Sequence, residues 1–255
     1  MSQRRRASSG RNARAQKRAQ RAARPQFDPC PPGQVGGFYK PLTETEVQAI
    51  VDTALRLLAE LGMGEVTTRL QHDLLAAGAI DNGKGRLLFP RSLVEDAISS
   101  AAKSFVLHGR DEARSIEVGG NKVYFGTGGA AVQTLDIDSG LYRPSTLEDL
   151  HNFTRLQDTL ANISWFTRCC IATDVPGNFD LDVNTAYALM KNTTKPTATA
   201  FTVAEHVAPI VQLFDIAAGG DGEFSKRPFV KAHISPVISP MRYGEDAVEV
   251  VYECI

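Results

Sequence analysis

Residues 162–202 read NISWFTRCCIATDVPGNFDLDVNTAYALMKNTTKPTATAFT. Within them an apolar, β-branched run (162–167) is followed by a helix-period segment (181–191) and then by a second strand-like run (196–202). Strand, helix and strand in succession describe a crossover, which joins parallel strands in a right-handed sense. The pattern continues in both directions. Downstream lie a helix over 204–217, a strand over 229–234 and a helix from Gly244 that runs to Ile255; upstream, Thr146 caps a helix reaching about Leu160, and residues 122–125 form a strand. Strand starts near 123, 163, 197 and 229 give a spacing of roughly thirty to forty residues, that of βα units. A doubly wound sheet and a (β/α)8 barrel are the two usual outcomes. The first strand leads to Gly126-Thr127-Gly128-Gly129, which lacks the last glycine of a dinucleotide fingerprint and runs into a hairpin (132–136 and 141–143, turning at Gly140) rather than a helix. The expected fold class is therefore α/β with parallel strands, of either the doubly wound or the (β/α)8 TIM-barrel type. Only about four βα units fit between 122 and 255, where a barrel needs eight, and the last helix carries no C-terminal cap. The expectation is the N-terminal half of a longer protein.

Ahead of these units lies a smaller α+β extension, 41–121. Thr43 with Glu46 is a capping box, and Val47, Ile50, Val51, Ala54, Leu55, Leu58 and Leu61 recur at helical spacing up to Gly62. A second helix spans about 68–77 and stops at Gly78; 86–89 is a short strand, and Pro90 opens a helix to about 102. Strands at 105–107 and 115–118 complete the layer. Residues 1–40 are an Arg-rich tail followed by a Pro/Gly linker, giving three segments in all: 1–40, 41–121 and 122–255.

The chain has 255 residues and a formal charge of −1 that averages two unlike parts. Residues 1–24 carry nine Lys/Arg and no acid, so the rest holds 19 bases against 29 acids, a net of −10. The tail has no apolar residue larger than alanine after Met1 and is expected to be disordered or a solvated helix. A nucleic-acid-binding arm is the functional alternative, since nine cations attract phosphate, although an acidic body disfavours a broad nucleic-acid surface. No apolar run reaches eighteen residues and no secretory h-region follows the basic start, so a cytoplasmic protein without a membrane span is expected. Four cysteines in this length exclude a disulfide-stapled scaffold.

In parallel βα folds the ligand-facing groups sit at the C-terminal ends of strands and in the loops that follow. That rule selects Thr127, Gly128 and Gly129 after the first strand, Asp174 after the second, Thr199 in the third, and His233 and Ser235 at the fourth. The glycine loop offers backbone N–H groups to an anion or amide, or is simply a close-packed turn. His233 is a satisfied core histidine or an acid/base group or ligand. The aromatics Phe166, Phe201 and Tyr243 pack the core or contribute to an ammonium cage. Adjacent Cys169 and Cys170 point opposite ways on a strand and read as packing residues, and the five histidines show no metal spacing. Asp136 and Asp138 belong to hairpin turn chemistry. Periodicity and composition thus give a fold and a site face but no reaction.

A set of strings supplies one: GFYKPLTETEVQAIVDTALRLLAELG (37–62), GAIDNGKGRLLFPRSLVEDAISSAA (78–102), FVLHGRD (105–111), YFGTGG (124–129), DSGLYRPSTLEDL (138–150) and SPVISPMRY (235–243). In this order they resemble the trimethylamine/quaternary-amine:corrinoid methyltransferase family, from about residue 25 onward but over only the first half of a typical member. The resemblance implies a (β/α)8 barrel behind an α+β extension. It also implies transfer of a methyl group from a tertiary or quaternary methylated amine, trimethylamine or betaine-like, to the cob(I)alamin of a separate corrinoid protein, with no tightly bound cofactor or metal in the chain itself. Members that use pyrrolysine carry it in the half beyond Ile255, and the Arg-rich leader resembles bacterial members, which points to betaine-like substrates. Residues 1–255 alone are then expected to be inactive. A non-catalytic half-barrel that pairs its open strand edges with another copy is the remaining alternative.

Overall fold

The structure is a computed structural model that describes Arg14, Asp28 and residues 30–255. The readings attached to the basic tail, disorder and nucleic-acid binding, therefore lie outside the described residues.

The capping box at Thr43 forms as the sequence dictates: the Thr43 hydroxyl accepts from Glu46 N–H and the Glu46 carboxylate accepts from Thr43 N–H at 2.7 Å. Helix α1 (Glu44–Arg56) follows and loosens into one π-helical turn, Leu57–Leu61, before the chain turns at Gly62. Then come β1 (Met63–Gly64), α2 (Thr68–Ala76), β2 (Ile80–Asp81), β3 (Arg86–Leu88) and α3 (Arg91–Ser100). Ser104–Leu107 pairs antiparallel with Ile116–Gly119. The strand expected over 122–125 is divided. Lys122–Val123 turns away to pair with Gln34–Val35, and only β4 (Phe125–Gly126) joins the main sheet.

From here the alternation read in the sequence appears as α4 (Leu147–Thr159), β5 (Ile163–Thr167), α5 (Asn178–Asn192), β6 (Thr197–Thr199), α6 (Val207–Ala218), the short α7 (Glu223–Lys226) and β7 (Val230–Ala232). Strand β6 ends three residues earlier than 196–202 suggested, because Thr202 leaves the sheet to bind a buried carboxylate on α5. Strands β4, β5, β6 and β7 form one all-parallel sheet in chain order. A doubly wound sheet would reverse its order at a switch point; this one does not, and its two edges remain open among the described residues. Beyond β7 the chain makes β8 (Val237–Ile238), β9 (Arg242–Tyr243) and α8 (Glu245–Cys254). None of the described helices is long and apolar enough to cross a membrane.

Strand β9 does not join the parallel sheet. It pairs in parallel with β1, 178 residues earlier in the chain, to give a five-stranded sheet in the order β8-β9-β1-β3-β2. Arg86 ties this sheet together by donating to the carbonyls of Gly62 (2.7 Å) and Met241 (3.0 Å).

The main core lies between the parallel sheet and its helices. Ala186 and Met190 of α5, Ile210 and Phe214 of α6, and Phe229 and Val230 form one buried cluster. The Phe214, Phe224 and Phe229 rings contact one another at 5.0–6.2 Å between centroids, the spacing of tilted and edge-on aromatic pairs. Leu150, Cys170 and Ala188 form a second cluster under α4. Each fully buried side chain of this size contributes about 1.5–3 kcal/mol. The carbonyls at the ends of these helices find cations from elsewhere. The Lys195 ammonium donates to Gln157 (3.0 Å) and Leu160 (2.8 Å) at the end of α4, and Arg110 donates to Met190 (2.8 Å) and Thr193 (3.2 Å) at the end of α5.

Candidate functional site

Register decides which side chains share a face of the parallel sheet. Phe166, Thr197 and Val230 are aligned across β5, β6 and β7, and Phe166 and Val230 are buried, Val230 in the cluster with α5 and α6. The next row, Thr167, Ala198 and Lys231, lies on the opposite face. By alternation Trp165 and His233 belong to that opposite face too. Lys231 and His233 are exposed there and Trp165 is half-buried, so helices cover one face of the sheet and leave the other open.

Two layers of side chains cross the open face. In the lower one the Lys231 Nζ stands 3.9 Å from the centre of the Trp165 ring, a cation–π contact. The same ring presses on Gly126, where a Cβ atom would fall 2.3 Å from an indole carbon, so only glycine fits. The upper layer, at the C-terminal strand ends, is built on Thr167. Its hydroxyl lies 3.3 Å from the Ala198 carbonyl and 3.4 Å from His233 Nδ1, and His233 N–H donates to the Thr199 carbonyl at 2.7 Å. Gly129 closes this layer on the β4 side; a Cβ there would meet the Arg168 carbonyl at 2.3 Å.

The residues selected from the sequence divide accordingly. Gly129, the Thr199 backbone and His233 meet around Thr167. Thr127, two residues before Gly129, has a buried hydroxyl oxygen without a hydrogen-bond partner among the described residues, while Gly128 faces open space. The Thr199 side chain is itself fully buried, and Ser235 is exposed beyond β7. Asp174 is occupied elsewhere: it accepts from Leu147 N–H at 2.8 Å, satisfying a free donor in the first turn of α4. Phe166 is fully buried, Phe201 packs against the α5–α6 cluster, and Tyr243 lies in β9, where burial raises its pKa. Cys170 is buried under α4 with Cys169 packed beside it; the hydrogen bond between the two thiols lowers the pKa of Cys169 and raises that of Cys170.

Sequence reasoning passed over two groups. Trp165 and Lys231 carry a signal in hindsight, since Lys231 is the lone charge in the apolar run FVKAHI. The second is a buried carboxylate. Asp182, on α5, is fully buried and accepts from Thr202 N–H (2.6 Å), from the Thr202 hydroxyl (2.9 Å) and from His206 Nδ1 (2.8 Å). The His206 ring stands edge-on to Phe179, 5.2 Å between centroids. Together these contacts pin the loop after β6 to the helix after β5. Arg168 lies near this carboxylate, and burial lowers its pKa against the opposing pull of Asp182.

A cavity of about 570 Å³ lies elsewhere: it runs beside the starts of β6 and β7 and along the edge of β7. Pro196, Phe201, Phe224 and Phe229 line it, and Trp165 and Lys231 are its link to the open face. Because ligand-facing groups in parallel βα folds gather at strand C-termini, the Thr167–His233 layer is the candidate site and the cavity flanks it from below. No set of three His, Cys, Asp or Glu among the described residues is disposed to hold a metal ion.

Comparison with known proteins fits this arrangement. A family model described as trimethylamine methyltransferase (MTTB) matches residues 7–255. The chain is 27% identical over 212 residues to the trimethylamine methyltransferase MttB of Desulfitobacterium hafniense, covering 83% of this chain and 42% of that protein. It is 26% identical over 214 residues to a glycine betaine methyltransferase from another strain of the same species, covering 84% and 44%. The trimethylamine methyltransferase MttB1 of Methanosarcina mazei is likewise 26% identical, covering 82% and 43%. The chain thus spans less than half the length of these relatives, and with the family model matching nearly all of it, the chain belongs to the trimethylamine methyltransferase family.

Proposed function

We propose that this chain forms the first half of a (β/α)8 barrel whose mouth positions a methylated amine, trimethylamine or betaine-like, for transfer of a methyl group to the cob(I)alamin of a partner corrinoid protein. The observation that carries this reading is the parallel sheet in chain order, with one face packed by helices and the other open and lined by Gly129, Thr167 and His233 at the strand C-termini. Family membership supplies the reaction class. A corrinoid held by a partner must approach from outside the strand ends, and exposed His233 and Ser235 leave that approach clear.

The partner's corrinoid supplies a reduced cobalt nucleophile. The work left to the chain is orientation and exclusion of water. In transfer from a quaternary ammonium, the C–N bond breaks with its electron pair going to nitrogen, and the amine leaves neutral without gaining a proton. No general acid is then required, and the Thr167–His233 layer serves as a fixed polar rim around the reacting methyl. A tertiary amine needs protonation or another activation before its methyl group can leave.

The test is loss of cob(I)alamin absorbance when the full-length polypeptide and a reduced corrinoid protein meet trimethylamine, glycine betaine, carnitine or proline betaine in turn. Methyl transfer from at least one is expected, and none from residues 1–255 alone. Failure of the full-length protein across all four overturns the reading. Turnover by residues 1–255 alone overturns the half-barrel part of it.

A further inference from the structure

We propose that the Trp165 ring is the seat for the substrate's methylated ammonium group, and that Lys231 holds this seat as an internal competitor in the ligand-free protein. This rests on the methylated-amine reading above and adds to it the surface that recognises the cation.

Three observations place the seat. The indole already carries a cation, since Lys231 Nζ sits 3.9 Å from the ring centre; the geometry for a cation–π contact is therefore built and sterically open. The ring cannot move away, because it rests against Gly126 with no room for even a methyl group between them. It also borders the cavity of about 570 Å³, which Trp165 and Lys231 line together with Phe201 and Phe229. A volume of this order accepts a small organic cation.

The state of Lys231 explains why it would yield. Its ammonium has no hydrogen-bond or ion-pair partner among the described residues, so the ring is its principal attraction. Partial burial works against its charge and lowers its pKa. Its long flexible stem lets it swing into solvent from an exposed position. A quaternary ammonium keeps its charge at every pH and is more weakly hydrated than a primary ammonium, so it loses less on leaving water for the aromatic face. The seat lies one layer beneath Thr167 and His233, on the same face of the sheet, so a cation held there presents its methyl groups toward the candidate site.

Trp165 is the only tryptophan in the chain, so intrinsic emission reports on this ring alone. The experiment titrates the 255-residue protein and its Lys231→Met and Trp165→Phe variants with tetramethylammonium, glycine betaine and ethylammonium. Emission is followed, with ligand saturation-transfer NMR as an independent measure of binding and circular dichroism to establish that the variants are folded. We expect saturable changes in emission with the methylated cations, affinity raised about tenfold in Lys231→Met by loss of the competitor, and binding weakened by a similar factor in folded Trp165→Phe. If NMR shows betaine binding that neither substitution changes, the seat is overturned while the methylated-amine reading stands. If ethylammonium binds Trp165 as tightly as tetramethylammonium, with the same response to Lys231→Met, the ring is a general cation site and the proposed seat for a methylated ammonium is overturned. Absence of binding in all three proteins, or weaker binding in Lys231→Met, overturns the seat.

Discussion

Helices α1 and α6 carry comparable apolar stripes and meet opposite surroundings. On α1, Val47, Ile50 and Val51 remain 43–58% exposed and only Leu55 is buried. On α6, Val207, Ile210 and Phe214 are all at 3% exposure or less. The difference comes from what each helix meets. Helix α6 packs beside α5 and receives Phe229 and Val230 in one buried cluster, whereas on α1 only Leu55 reaches a buried position. Periodicity therefore announces that a helix forms, and long-range partners decide whether its stripe is buried. Stability should be concentrated accordingly in the parallel-sheet half.

Truncation tests this most strongly. Phe214→Ala should cost about 3–5 kcal/mol in denaturant unfolding, and Ile50→Ala less than about 1 kcal/mol. Similar losses at both positions would erase the distinction. Next in size is Asp182→Ala, which strips the acceptor from Thr202 and His206 in a buried site. A loss of about 2–4 kcal/mol is expected in the same assay, with faster proteolysis of the loop after β6. Gly126→Ala should follow at about 1–3 kcal/mol, with altered Trp165 emission, because the new methyl group meets the indole. Gly128→Ala, with open space around it, should change neither stability nor emission.

The smallest effect concerns pH. Asp149 closes the capping box of α4 and takes both Arg143 Nη atoms at 2.6 and 2.8 Å; the Arg143 contact foremost, and then the bonds from Thr146, hold its pKa at about 2. A carboxylate with a depressed pKa stabilises the fold above its ordinary value of 3.8, and that stabilisation is lost as pH falls through about 2. Arg143 is partly exposed, so solvent screening keeps the contribution small. Arg143→Met should remove most of it, and an unchanged acid limb of the stability profile in that variant would show the pair to be inert.

The βα alternation was legible in the sequence because each unit is local: caps at Thr43 and Thr146 and apolar runs at 163–167 and 230–232 need no distant information. Short strands were not. Met63–Gly64 and Arg242–Tyr243 contain too few residues for a period and are defined by the strands they pair with, each other included. The site was legible to the level of its face. The strand-end rule reached Gly129 and His233 but also selected Asp174, which serves a helix start, and missed Thr167, Trp165 and Lys231, whose roles depend on cross-strand register. Asp182 was invisible for a similar reason, since a charged residue on a helix reads as solvated until its three donors come into view.

The pairing of β9 with β1 has a consequence for the order of assembly. Arg86 reaches the Met241 carbonyl across 155 residues, and Tyr252 donates to Asp73 across 179. On a ribosome the N-terminal layer is made first, yet its sheet lacks two of five strands until residue 243 has emerged. Its outer strand is an unpaired edge throughout that interval, and the contacts that close it are the most distant in sequence and so the slowest to find. Residues 63–88 should thus be among the last of the described residues to acquire their finished structure.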